Sequence, residues 1–177
     1  IGVIPTLGPY YIPGLLPRLR QKYPQLGLRL NENTTPNLVQ ALRQGDLDVA
    51  FMAPTAATET LEHAPLFQEP FLAVFPKDHE LATKKNLSIA DLARPDLLLL
   101  EDGHCLRDQA LSLCPSNFRS QDQRLATSLE MLWHMIGAGE GFSLIPRLAL
   151  NNRQEFDGLV TVLELSESEA RRTISLV

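Results

Sequence analysis

Cysteine is almost absent from this chain: Cys105 and Cys114 are the only two in 177 residues. That excludes the disulfide framework of a small secreted domain and makes a reducing cytoplasm the expected compartment. Basic charge is also scarce. Sixteen Lys and Arg face 21 Asp and Glu, for a net charge of −5, so the basic stripe of a nucleic-acid-binding surface is missing. No apolar run approaches the roughly 20 residues that span a bilayer. Residues 1–30 carry charges and prolines throughout and show no signal peptide, so no membrane partner is expected. Paired ligand motifs such as CxxC or HxxxH are missing, so neither a metal nor another cofactor is expected. Internal repeats and low-complexity tracts are missing too. What is present is ordinary globular composition, 44% apolar and 21% charged, in a length that suits one or two small domains. The chain opens on Ile1 and stops at Val177, each in a strand-like run, and reads as part of something longer.

The apolar pattern alternates between strand and helix. Ile1–Pro5 is a short strand. Ile12, Leu15, Leu16 and Leu19 recur at helical spacing, and Pro24 closes that helix. Leu26–Leu30 has a strand pattern. Thr34-Thr35-Pro36 starts a second helix, Leu38, Val39 and Leu42 give it an apolar face, and Gly45 stops it. Leu47–Met52 is a third strand. This βαβαβ order implies a parallel sheet with right-handed crossovers. Further on, Phe71–Phe75 reads as a strand bounded by Pro70 and Pro76, and Leu87–Ala93 as a short helix capped by Ser88. Asp96–Leu100 is a buried strand. Thr127-Ser128 caps a helix whose face is Leu129, Leu132, Trp133 and Ile136, followed by strands at Phe142–Pro146, Leu159–Leu165 and Arg172–Val177. The fold class is α/β, with two units. In open α/β sheets ligands bind beyond the carboxyl ends of strands. Pro5-Thr6, Asn33–Thr35 and Gly103–Cys105 all occupy such positions and could face one cleft.

Gly103-His104-Cys105-Leu106-Arg107-Asp108 carries the chemistry. A free thiol has a pKa of about 8.5, and peroxide reacts with the thiolate. Cys105 follows a strand and a glycine turn, so it is placed to open a helix running to about Leu113. The unpaired N–H groups at a helix start favour an anion, and His104 and Arg107 could add charge or hydrogen bonds. Cys114 lies nine positions on. In a helix that is about 13 Å along the axis and on the opposite face, whereas a disulfide needs Cα atoms within about 7 Å. A bond between them therefore requires the helix to unwind. Closing it would hold the unwound form by on the order of 2–3 kcal/mol. The plain alternative is that both cysteines are small apolar core residues. Thr6 and Thr35 could bond a small oxygen-bearing ligand, or serve only as turn and cap residues. His63, His79 and His134 read as surface or half-buried residues, and Arg171-Arg172 as a solvated pair.

Several motifs together resemble the effector-binding domain of LysR-type transcriptional regulators over essentially the whole chain. They are Ile1-Gly2-Val3-Ile4-Pro5-Thr6, Pro13-x-x-x-Pro17 with Tyr23-Pro24, Gly45-Asp46-Leu47-Asp48, Glu69-Pro70-Phe71, Ala138-Gly139-x-Gly141 and Leu144-Ile145-Pro146. The run from Gly103 to Leu111, with Cys114 nine residues after Cys105, is similar to the peroxide-sensing branch of that family.

The resemblance implies two Rossmann-like subdomains joined by crossover strands, as in periplasmic binding proteins. Residues 1–68 and 174–177 would form subdomain I, and 69–173 subdomain II with the redox segment. An N-terminal winged helix-turn-helix would precede Ile1. The resemblance makes Cys105 the peroxidatic and Cys114 the resolving cysteine. It places Thr6, Thr35, His104, Asp108 and Arg172 around hydrogen peroxide. It implies a homodimer within a full-length tetramer, promoter DNA and RNA polymerase as partners, and glutaredoxin or thioredoxin as reductant. It implies a regulator, not an enzyme. The alternatives are a LysR-type domain for a small organic effector with non-redox cysteines, a thiol peroxidase, or a periplasmic solute-binding protein.

Overall fold

The computed structural model describes residues 1–113, 124–151 and 153–177. These divide into two units: Ile1–Gln68 with Gly103–Cys105 and Thr173–Val177, and Glu69–Asp102 with Leu106–Arg172.

In the first unit, strand β1 (Gly2–Val3) lies between β2 (Asn31–Glu32) and β3 (Ala50–Met52), parallel to both. The last residues of β9 (Arg171–Leu176) run antiparallel to β3, pairing Leu176 with Phe51. Helix α1 (Gly8–Lys22) follows β1, and α2 (Thr35–Gln44) follows β2. Both helices keep one apolar face inward: Ile12 on α1, and Leu38 and Val39 on α2, are buried with Val3, Ile4, Leu7, Met52 and Ile174. Gly45 ends α2 in a left-handed conformation with φ 76°, as its place after the apolar run foretold.

The strand expected over Leu26–Leu30 is displaced to Asn31–Glu32. Pro5 keeps β1 short, and on the β2 side its two residues pair with 31 and 32. Residues 26–30 are therefore left outside the ladder, with Leu26 and Leu30 exposed. The strand expected over Leu47–Met52 forms only from Ala50.

In the second unit, β4 (Ala64–Pro76) contributes Glu69–Pro76 and pairs antiparallel with β7 (Ser143–Pro146) and β8 (Val160–Glu164). β4 begins seven residues before the expected Phe71 and runs through Pro70. The Phe71 N–H donates to the Ala170 carbonyl. Backbone donors alternate sides along a strand, so position 70 is one whose missing N–H breaks no bond to that neighbour. β5 (Leu99–Leu100) and β6 (Leu125–Ala126) form a separate parallel pair. Helices α3 (Cys105–Leu113) and α4 (Leu129–Gly137) complete the regular elements. The expected helix at Leu87–Ala93 is a 3₁₀ turn, Ile89–Leu92. Ser88 and Asp91 close a reciprocal capping box over it, which fixes one turn rather than several. No helix among the described residues is long and apolar enough to cross a membrane.

Candidate functional site

Cys105 is the first residue of α3 and is buried. Gly103 precedes it at φ 91°, a conformation that other residues rarely adopt and that lets the chain turn sharply from β5 into the helix. Gly103 also caps a neighbouring element. Its carbonyl accepts the Thr35 N–H at 3.3 Å, at the first residue of α2. Thr34, the residue before α2, gives no side-chain cap, so the thiol loop serves in its place. The thiol turn and the start of α2 are thus joined by a backbone bond.

Thr35 is buried, and its Oγ1 has no hydrogen-bond partner among the described residues. A buried hydroxyl without a partner is costly unless a small polar molecule can satisfy it. Thr6 lies in the turn between β1 and α1 and is also buried. Of the residues expected around peroxide, Thr6, Thr35 and His104 share the first unit with Cys105, and His104 is half-buried. Asp108 and Arg172 belong to the second unit. Asp108 is exposed on the first turn of α3. Cys114 lies outside the described residues.

Glu32, from β2, sits against Gly8 at the start of α1, so close that a Cβ at that glycine would collide with the carboxylate. The first turn of α1 holds no acidic residue of its own. Partial burial pushes the Glu32 carboxyl above its usual range.

Two sequence readings need correction. Arg107 was a candidate to charge the thiol. Instead, its Nε pairs with the Asp102 carboxylate at 2.8 Å and its Nη1 donates to the Leu100 carbonyl at 3.2 Å. It ties α3 back to β5, because a guanidinium two residues past the helix start can reach the strand end it has just left. Arg172 is not half of a solvated pair. It is buried, its Nε donates to Glu69 Oε2 at 2.8 Å, and its Nη2 lies 2.8 Å from the same oxygen in an ion pair. A strand's alternation puts Arg171 outward and Arg172 inward. The histidines are half-buried or exposed as expected; His63 Nε2 lies 2.7 Å from the Thr58 carbonyl and His79 Nε2 2.8 Å from Asp96. Burial opposes ionisation of Asp96. Hydrogen bonds from His79 and the backbone, with the nearby Arg94 charge, outweigh it and leave the carboxyl below its usual range.

Sequence reasoning missed Glu69 as the partner of Arg172. Glu69-Pro70-Phe71 was visible only as a family mark, and nothing local ties it to a residue 103 positions away.

Helix α3 bears on the disulfide. Cys105 and Leu113 are eight residues apart in one helix, about 12 Å along the axis. Cys114 is bonded to Leu113, and adjacent Cα atoms are about 3.8 Å apart. The described part of α3 thus runs from the thiol for more than the roughly 7 Å that a disulfide spans between Cα atoms.

The comparisons with known proteins agree in kind. The LysR substrate binding domain matches residues 1–177. The chain is 43% identical over 178 residues to the DNA-binding transcriptional dual regulator OxyR of Escherichia coli strain K12, covering 100% of this chain and 58% of that protein. It is 37% identical to the hydrogen peroxide-inducible genes activator of Haemophilus influenzae, covering 100% of this chain and 59% of that protein. The crystal structure of the reduced form of OxyR superposes with a TM-score of 0.87 at 41% identity, over 99% of this chain and 82% of the other. The oxidized form gives 0.86 at 43%, over 99% and 83%. The chain thus spans less than two thirds of the length of these curated relatives. With the family matched from end to end, this chain belongs to the LysR substrate binding domain family.

Proposed function

We propose that this chain is the peroxide-sensing regulatory domain of a LysR-type transcription factor. The observation that carries this reading is the buried thiol at the first residue of α3, tied through Gly103 to Thr35, whose own hydroxyl has no partner among the described residues. Thr6, Thr35, His104 and Arg172 serve the reacting oxygen, and Asp108 acts from the first turn of α3.

The Cys105 thiolate attacks one peroxide oxygen. The O–O bond breaks, sulfur is oxidised by two electrons to sulfenic acid, and the departing hydroxide takes a proton to become water. Cys114 then attacks the Cys105 sulfur. An S–S bond forms, the S–O bond breaks and a second water leaves. Because the intact helix keeps the sulfurs apart, α3 must unwind for this step, and the disulfide then holds it unwound. This is a signal rather than catalytic turnover, so the domain is not an enzyme. Residues 1–68 and 174–177 act as subdomain I, and 69–173 as subdomain II. Refolding changes the arrangement of a homodimer within a tetramer. It thereby changes how a winged helix-turn-helix engages promoter DNA and RNA polymerase in the cytoplasm. Glutaredoxin or thioredoxin resets the bond.

Intact mass after stoichiometric peroxide tests this. Formation of one disulfide removes two hydrogens, about 2 Da, and Cys105→Ser and Cys114→Ser should each abolish that loss. If both thiols stay free, a small organic effector becomes the better reading. Sustained peroxide consumption with a reductant would instead indicate a peroxidase.

A further inference from the structure

The start of α2 is held by two oxygens that lie outside the helix. Asn33, the residue after β2, accepts the Thr34 N–H on its Oδ1 at 2.9 Å. One residue on, the Gly103 carbonyl of the thiol turn accepts the Thr35 N–H at 3.3 Å. The Asn33 side chain is itself fixed. Asn37, in the first turn of α2, donates its Nδ2–H to the same Oδ1 at 2.7 Å. With two donors on one oxygen, the amide has little freedom to turn. The thiol turn also packs here, since a Cβ at Gly103 would lie 3.6 Å from the Thr34 Cβ and Cγ2. Asn33, Thr34, Thr35, Gly103 and Cys105 all belong to the first unit. At the centre of these contacts is Thr35, buried, with a hydroxyl that has no partner among the described residues.

We infer that Asn33 is a positioning residue for peroxide chemistry, acting through Thr35: it fixes the turn that presents the Thr35 hydroxyl. The inference deepens the proposed sensing role of Thr35 and rests on it. Its physical basis is the order of the contacts. The Thr35 side chain has no printed anchor of its own among the described residues, so the backbone leading into it sets its direction. Two successive peptide planes lead into Thr35, and each is held by one of the two oxygens. The bond to the Gly103 carbonyl, at 3.3 Å, is long for an N–H···O contact and holds loosely. The bond to Asn33, at 2.9 Å, is the tighter of the two. Without Oδ1 the Thr34 N–H turns to water, and the entry to Thr35 keeps only the looser tie. A displacement of about 1 Å is enough to cost a catalytic group much of its effect on a reacting atom. Alkylation of the thiolate by iodoacetamide expels iodide and places no reacting oxygen against Thr35. Asn33 therefore acts on the peroxide reaction and not on thiol reactivity in general.

The test compares two reactions of Cys105 in the intact protein, each followed by peptide mass: oxidation by hydrogen peroxide and alkylation by iodoacetamide at the same pH. Asn33 is only half-buried, so its variants leave the core in place. Asn33→Ala removes the acceptor. The ratio of peroxide rate to alkylation rate should fall about 5- to 10-fold, the kinetic equivalent of one hydrogen bond. Asn33→Asp keeps an oxygen at the same reach and should keep the wild-type ratio. In a Thr35→Val background, Asn33→Ala should lower the ratio no further, because a residue that acts through Thr35 then has nothing left to position. A merely structural role would move both reactions together. An unchanged ratio in Asn33→Ala, an equal fall in Asn33→Asp, or a full additional fall in the Thr35→Val background overturns the inference. Failure of the sensing reading is a distinct outcome: wild-type protein is not oxidised by peroxide, or Thr35→Val alone leaves the ratio unchanged.

Discussion

Two helices of equal length, α3 and α4, are held in opposite ways. Each has nine residues. α4 buries Leu129, Leu132, Trp133 and Ile136, four large side chains. Ser128 Oγ accepts the Met131 N–H at its start, and Trp133 stacks on Phe156 with ring centres 5.2 Å apart. The buried residues of α3 are Cys105, Leu106 and Ala110, only one of them large. Its other visible ties are polar, through Arg107 to Asp102 and Leu100. A fully buried aliphatic or aromatic side chain is worth about 1.5–3 kcal/mol. α4 is therefore anchored several kcal/mol more firmly by apolar burial. Under the proposed mechanism α3 is the helix that opens, and it is the one with the smaller buried apolar face. The thiol sits on that helix, and α4, packed against β5 and β6, is the more firmly held of the two.

This contrast can be broken by experiment, beginning with the largest expected effect. Peroxide should abolish hydrogen-exchange protection across the amides of α3 while leaving α4 protected, and Cys105→Ser should prevent the change. Equal loss in both helices would show that the whole domain loosens instead. Next, truncation should separate the two in urea unfolding. Trp133→Ala should lose about 3–5 kcal/mol, whereas Ala110→Gly should lose about 1–2 kcal/mol through helix propensity and one buried methyl. Comparable losses would mean that α3 is anchored by something other than its buried face.

Thr35→Val offers a finer test of the loop that joins α3 to α2. Removing a buried hydroxyl that lacks a partner among the described residues should leave stability unchanged or raise it by about 1 kcal/mol. Peroxide oxidation of Cys105 should nevertheless slow by about 5- to 10-fold, the kinetic equivalent of one hydrogen bond. A drop in stability without a change in rate would make Thr35 a packing residue. Smallest of all, Ser128→Ala should cost about 1 kcal/mol through its lost cap. It should leave the peroxide rate unchanged, because α4 takes no part in opening.

Much of this was legible in the residues. The starts of α2 and α4 were marked by Thr34-Thr35-Pro36 and Ser128, and the end of α2 by Gly45, because caps and left-handed glycines act within a few positions of themselves. The thiol at a helix start was legible from Gly103 and the strand before it. Boundaries set by partners were not. β2 moved to Asn31–Glu32 because β1 is short, and β4 passed through Pro70 because the missing donor made no difference there. The burial of Arg172 was illegible for the same reason. Its partner is 103 residues away, and a lone Arg-Arg pair looks solvated until a strand's pleat turns one arginine inward.

The sequence by itself determined the α/β order and the place of the thiol at the start of α3. Those depend on local propensity, which any stretch of chain carries with it. Only the tertiary structure decided that Gly103 caps α2, that Arg107 is bound to the end of β5, and that Glu69 holds Arg172. Each of these is a contact between groups whose sequence separation hides them from one another. A buried charge or an open backbone donor must find its partner in space.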